Sequence, residues 1–198
     1  MKLLVTAFEP FGGEAVNAAQ MALQRLPERI GGIELIKEQV PTVFGACIET
    51  AIAAIGRAQP DAVLLLGQAG GRTAITPERV AINVMDARIP DNAGAQPVDL
   101  PVVPSGPAAY FSTLPIRCMV EACREAGVEA AISNSAGTFV CNDLFYGVMH
   151  FLALTGKRIP AGFIHVPRTQ EQTQGDAACM PLSDIVCGLS AMIQSLEN

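Results

Sequence analysis

The chain has 198 residues, half of them hydrophobic and 16% charged, with a formal net charge of −6 and no basic block, which argues against nucleic acid and anionic membranes as partners. Aromatic residues make up only 5% and tryptophan is absent, so there is little on which bases could stack. No apolar run reaches the length of a membrane span, and no linker or low-complexity stretch sets off a second domain, so one domain over residues 1–198 is expected.

The opening MKLLVTAF carries a lysine and a short apolar run, but Glu9-Pro10 ends it before a signal-peptide core could form. Lys2–Phe8 therefore reads as a first strand covered on both faces, in a protein expected to be cytoplasmic. A loop, Glu9 to Glu14, leads to a helix from about Asn17, a good N-cap residue. Ile33–Val40 reads as a second strand, Val43–Arg57 as a helix, and Asp61–Leu66 as a third strand that runs into Gly67-Gln68-Ala69-Gly70-Gly71-Arg72. This β-α-β-α-β order points to α/β architecture, with helices on both faces of a mostly parallel sheet. From Gly67 to Glu78 the pattern is not helical, so the next strand, Arg79–Met85, is expected antiparallel to its predecessor. The sheet is then mixed, and Glu78 lies near the carboxyl ends of the parallel strands.

Residues 88–115 are rich in Pro and Gly and too long for an idle connection, with Val102-Val103 a candidate for a small hairpin. Beyond them Ile116–Ala126 reads as a helix, Val128–Asn134 as a buried strand, Cys141–Leu154 as a helix, and Ala161–Val166 as the last strand. Arg168–Ala178 is polar and reads as a surface loop. Leu182, Ile185, Val186, Leu189, Ile193 and Leu196 give a closing helix one apolar face.

Six cysteines could make three disulfides, but Cys47, Cys118, Cys123 and Cys187 fall in helical segments and no CxxC is present. Reduced thiols are expected, and a zinc site is not, because Cys118 and Cys123 have no companion pair. Neither nucleotide-binding glycine fingerprint is met by Phe11-Gly12-Gly13, so no nucleotide cofactor is expected.

In an open α/β sheet, ligands bind beyond the carboxyl ends of the strands. The residues expected there are Phe8, Phe11, Gln68, Glu78, Cys141 and His165. Cys141 stands where a loop hands over to a helix N-terminus, a place that favours a thiolate of depressed pKa. On this stretch alone it is either a nucleophile or a small buried hydrophobe. A nucleophilic cysteine needs a base. His150 lies nine residues along the same helix, facing the other way at about 100° per residue. That leaves His165, at the end of the last strand, as the one candidate base. Glu78, Asp86 or Asp143 could orient its imidazole, and Asp143 equally suits a helix first turn.

The blocks Thr6 to Gly13, Gly67 to Arg72, Pro77 to Asn83, Asp86 to Asn92, Ser135 to Asn142 and Phe163 to Pro167, in this order, resemble the pyroglutamyl-peptidase I (pyrrolidone-carboxylate peptidase) family of cysteine peptidases from end to end. The resemblance implies a Cys141–His165–Glu78 triad, with Arg88 and the Cys141 N–H facing the oxyanion. Phe8, Phe11, Asn17, Gln68, Phe139 and Val140 would line or support the pocket. It also implies an enzyme that removes N-terminal pyroglutamyl residues from peptides through a thioester, without metal or cofactor, as a homo-oligomer (dimer or tetramer). Two positions depart from the usual pattern: Ala7 replaces a common Gly, and Ala18 replaces the Pro that usually follows Asn17. Two other readings are a glycosyl-transferring phosphorylase of similar architecture, and a pocket kept as a non-catalytic receptor for pyroglutamyl peptides.

Overall fold

The structure, a computed structural model, describes residues 1–173 and 178–197. In chain order its elements are β1 (Lys2–Phe8), α1 (Ala18–Arg25), β2 (Arg29–Ile30), β3 (Ile33–Val40), α2 (Ala46–Ala58), β4 (Ala62–Gln68), β5 (Thr76–Pro77), β6 (Val80–Ile82), β7 (Ala109–Phe111), α3 (Ile116–Glu125), α4 (Val140–Thr155), β8 (Ala161–Val166) and α5 (Leu182–Gln194). Six strands form one sheet in the order β2-β3-β1-β4-β8-β5. The four inner strands are parallel, while β2 and β5 run antiparallel at the two edges.

The central strands owe their place to composition. Every residue of β4 and β8 is buried, and so is all of β1 after Lys2, as near-continuous apolar runs require when helices cover both faces. Side-chain alternation then divides the core in two. Leu3, Val5, Ala7, Leu64, Leu66, Ile164 and Val166 pack with α1, α3 and α5. Leu4, Phe8, Val63, Leu65 and Phe163 face the other way, towards α2 and α4. His165 is two residues beyond Phe163, so it belongs to the second face, the one that α4 covers.

The expected mixed, mostly parallel sheet is present, with helices on both faces. Four local expectations are corrected. Of the strand expected over Arg79–Met85 only Val80–Ile82 is a strand; a separate two-residue strand, Thr76–Pro77, precedes it, and neither pairs with β4. Thr76–Pro77 pairs with β8, and Val80–Ile82 leaves the sheet to form a separate ribbon with β7. This ribbon, not Val102-Val103, is the short extended pairing of the long loop. Val128–Asn134 is not a strand, because only Ala130 and Ser133 form isolated parallel bridges, to Ile75 and Glu78. The segment after β8 is more than a surface loop, since Thr169 is buried and Gln172 bonds inward; residues 174–177 lie outside the described residues.

The helices covering the second face pack tightly. Gly147 of α4 lies against Ile48 of α2, and a Cβ added there would collide with three atoms of the Ile48 side chain. Gly147→Ala should therefore lower unfolding stability by about 1–3 kcal/mol, the usual cost of overpacking a core. Equilibrium denaturation of the two proteins checks this, with an unchanged midpoint as the contrary result.

Candidate active site

The carboxyl ends of β1, β4 and β8 deliver Phe8, Gln68 and His165 to one edge, and the N-terminus of α4 brings Cys141 to the same edge. In the sheet register Gly67 of β4 is the partner of His165 on β8. A Cβ on Gly67 would stand 2.6 Å from the Phe163 ring and 3.0 Å from Cys141 Sγ. The thiol thus occupies the space a side chain beside His165 would need, and only glycine leaves it free.

Cys141 is the second residue of α4, and its neighbour Asn142 fixes the helix start. The Asn142 side chain accepts from the Ile82 N–H at 2.9 Å and donates to the carbonyls of Ile82 (2.8 Å) and Val84 (2.9 Å). One buried amide therefore ties the cysteine-bearing turn to the β6–β7 ribbon.

His165 is buried, and its Nδ1 lies 2.8 Å from Glu78 Oε1. Glu78 is fully buried just after β5, held by its backbone N–H to the Phe163 carbonyl. Arg72 Nη1 donates to the same Glu78 oxygen at 2.8 Å and also bonds the Thr76 hydroxyl, while Nη2 reaches the Ser135 carbonyl at 3.4 Å. Burial alone would push the Glu78 carboxyl up, but His165, Ser133 and Arg72 together hold it below the usual carboxylate range. Burial depresses the His165 imidazole, and Arg72 adds to this; the Glu78 bond only partly offsets them.

The expectation of a depressed Cys141 pKa is reversed. Burial, with a further contribution from the Glu78 charge, pushes the thiol up to about 12, and Arg72 opposes this only in part. The helix terminus does not outweigh loss of water around the sulfur. Both shifts run in the direction that favours the uncharged thiol and the uncharged imidazole.

The other expected residues fall into three groups. Phe11, Phe139 and Phe44 form an aromatic wall, with ring centroids 6.1 Å apart for Phe11–Phe139 and 5.4 Å for the edge-on Phe44–Phe139 pair. Phe8 and Val140 are buried beneath it. Asn17 and Gln68 have their polar atoms committed to the protein. The Asn17 side chain caps α1 at Ala19 N and donates to the Glu9 carbonyl. Gln68 Oε1 accepts from Ala18 N (2.7 Å) and Gln172 Nε2 (2.8 Å), and its Nε2 donates to Glu14 (3.0 Å). Ala18 supplies an N–H that a proline would lack, and Ala7 packs into the core on the α1 side of the sheet. Arg88 is exposed; Asp86, two residues before it, bonds through its backbone N–H to the Thr138 carbonyl.

Of the alternatives for orienting His165, Glu78 alone contacts it among the described residues. Asp143 accepts from Gly45 N at 2.9 Å and from the Cys47 thiol, and Asp86 is exposed. His150 bonds Tyr110 Oη at 2.8 Å through Nδ1. All six cysteines are free, and no metal-binding cluster of three or more His, Cys, Asp or Glu occurs among the described residues.

Sequence reasoning missed Arg72, Phe44 and the trio Glu14, Arg168 and Gln172. Arg72 lies in a loop without periodic signal, Phe44 falls just before α2 although the sequence places it at the start of that helix, and Gln172 lies in a segment read as a surface loop. An arginine that closes a glycine-rich loop directly before the Glu78 segment was the one available hint.

The family model for pyroglutamyl peptidase matches residues 1–198. The chain is 50% identical to the pyrrolidone-carboxylate peptidase of Levilactobacillus brevis over 99% of its length and 97% of the relative's. It is 51% identical to pyrrolidone-carboxylate peptidase 1 of Caldanaerobacter subterraneus subsp. tengcongensis, covering 98% and 97%. Among solved structures it superposes on pyroglutamyl peptidase I from Bacillus amyloliquefaciens with a TM-score of 0.96 at 46% identity, covering 100% of this chain and 95% of that one. A variant of pyrrolidone carboxyl peptidase from Pyrococcus furiosus gives 0.94 at 39% identity, covering 100% and 99%.

Two outcomes are expected of the site. Gly67→Ala should cut kcat/KM by about 100-fold or more by displacing the sulfur or the Phe163 ring, since shifts of about 1 Å carry that cost; a rate within about threefold of wild type would contradict the packing argument. The thiolate absorbance of wild type minus Cys141→Ala should stay flat from about pH 6 to about pH 9, as a thiol near 12 requires. A step near neutrality would show a preformed ion pair instead.

Proposed function

We propose, for a chain that belongs to the pyroglutamyl peptidase family of cysteine peptidases, that residues 1–198 act as one domain that hydrolyses the N-terminal pyroglutamyl residue from peptides, with Cys141 as nucleophile, His165 as base and acid, and Glu78 as its orienting carboxylate. The observation that carries this reading is the buried 2.8 Å contact between His165 and Glu78, on the strand pair whose Gly67 meets the Cys141 sulfur. The phosphorylase and receptor alternatives find no support in the family match.

With Nδ1 engaged by Glu78, Nε2 is the nitrogen left for the thiol. As Cys141 attacks the pyroglutamyl carbonyl, its proton passes to His165, the S–C bond forms and the carbonyl oxygen becomes an oxyanion. An uncharged thiol and imidazole fit this transfer, because charge separates only as the bond forms. The Cys141 N–H, with Arg88, faces that oxygen. Collapse breaks the C–N bond while His165 hands its proton to the leaving amine. Water, activated by the same imidazole, then hydrolyses the thioester, releasing pyroglutamate and restoring the thiol.

The lactam is compact, flat and uncharged, which suits a wall made of Phe11 and Phe139 above Phe8 and Val140. Asn17 and Gln68 support that wall by fixing the loops around it. The enzyme works as a homo-oligomer, a dimer or tetramer, in the cytoplasm. No helix among the described residues is long and apolar enough to cross a membrane.

The test compares kcat/KM for matched pyroglutamyl, glutamyl and glutaminyl amides. Opening the lactam adds an ammonium, and a glutamyl side chain adds a carboxylate, each unpaired against phenyl rings. Discrimination of roughly 10³-fold or more is expected, since burying an unpaired charge costs several kcal/mol. Phe11→Ala should weaken the selection by admitting water, and Cys141→Ala should abolish turnover. Comparable wild-type values for all three amides would overturn the proposal.

A further inference from the structure

We infer that Arg72 is a positioning residue for the reaction, acting through Glu78 to hold the His165 imidazole in line with Cys141; the inference rests on the Cys141–His165–Glu78 reading. Its guanidinium makes three contacts that no other residue type could make together. One Nη bonds the Thr76 hydroxyl and Glu78 Oε1, and the other reaches the Ser135 carbonyl in the loop leading to α4. A planar fork with several fixed donors is what such a geometry needs.

The contacts matter because Glu78 is poorly held without them. Its carboxylate is fully buried, Oε1 bonds both His165 and Arg72, and Oε2 meets no hydrogen-bond partner of good geometry among the described residues, the Ser133 side chain being the one other group that acts on the carboxylate. Rotation of the carboxylate about its stem would exchange the two oxygens and release the imidazole. Arg72 opposes that rotation by holding the same oxygen that bonds His165. It also supplies the positive charge that lets a fully buried carboxylate stay ionised beside a neutral imidazole, where an uncompensated charge would be costly. Because it bonds Ser135 as well, the same side chain joins the strand that carries the orienting carboxylate to the loop that precedes the nucleophile.

The charge has a separate kinetic signature. Among the described residues, the charged groups that act on the His165 imidazole are Glu78 from the segment after β5 and Arg72 from the β4–β5 loop. Cys141 approaches from α4, its Sγ 3.0 Å from where a Cβ on Gly67, the register partner of His165, would stand. Arg72 disfavours a proton on the imidazole and favours the ionised carboxylate. Without that cation the Glu78–His165 pair keeps its proton to higher pH, so the acid limb of kcat/KM moves upward. Arg72→Lys keeps the charge but loses the fork.

The experiment measures kcat, KM and the pH profile of kcat/KM for wild type, Arg72→Gln and Arg72→Lys, each normalised to folded, thiol-titrated enzyme. Arg72→Gln should lower kcat by about 10- to 100-fold with little change in KM, and shift the acid limb to higher pH. Arg72→Lys should lower kcat while leaving the acid limb near its wild-type position. In a Glu78→Gln background Arg72→Gln should add little further loss, because the two act as a unit. A lower melting temperature with unchanged kcat and pH profile would make Arg72 merely structural and overturn the inference. So would a full, additive loss in the Glu78→Gln background. If Arg72→Gln does not fold, wild-type kcat in Arg72→Lys is the overturning result. Failure of the underlying triad would look different: wild type alkylated at Cys141 by iodoacetamide would keep its activity, whatever the Arg72 variants do.

Discussion

The site depends on a carboxylate that is fully buried. Glu78 is kept ionised in the protein interior by hydrogen bonds and opposite charge rather than by solvent, and the imidazole of His165 takes its orientation from it. Much of the surrounding structure is needed to place that one group. Antiparallel pairing of β5 with β8 sets the height of Glu78 along the sheet, and the bridge to Ser133 ties it to the loop that approaches α4. An edge strand of only two residues would be a weak mount by itself, but its ends are pinned from both sides.

The same edge of the sheet carries a second polar assembly. Glu14 accepts from Gln68 and Gln172 and pairs with Arg168, and Gln172 also reaches the Val16 carbonyl. These bonds join the loop after β1, the end of β4 and the segment after β8. They hold the backbone around the aromatic wall, so that the wall itself can be made of residues with no polar obligations. Apolar lining and polar support are thereby separated into different layers of side chains, which suits recognition of an uncharged ring.

The sequence made the central architecture legible because burial leaves a strong signature. Ala161–Val166 has the predicted bounds, and Asn17 caps α1 as its position suggested. The common edge of Phe8, Gln68 and His165 also followed from strand ends alone. What could not be read was pairing among short extended pieces. Val128–Asn134 is as apolar as a strand, yet the ladder it would join is only two residues long, so pairing stops at isolated bridges. Val80–Ile82 has strand-like residues, but alternation does not tell a strand which partner it has. The Cys141 thiol was misjudged for a different reason: a helix terminus is visible in sequence, whereas the loss of water around one sulfur depends on chain segments far away. The role of Arg72 is only hinted at in sequence for a similar reason, its three partners being set by the fold rather than by any repeat.

The strand order also governs when the protein can become active during its own synthesis. β8 is the last strand made, yet it lies between β4 and β5. A chain emerging from the ribosome must leave the β4 edge open and β5 without its sheet partner until residues 161–166 arrive. Before that moment Glu78 lacks its His165 partner. On the proposed Cys141–His165–Glu78 assignment, a chain of this topology completes its site only when nearly all of it has been translated.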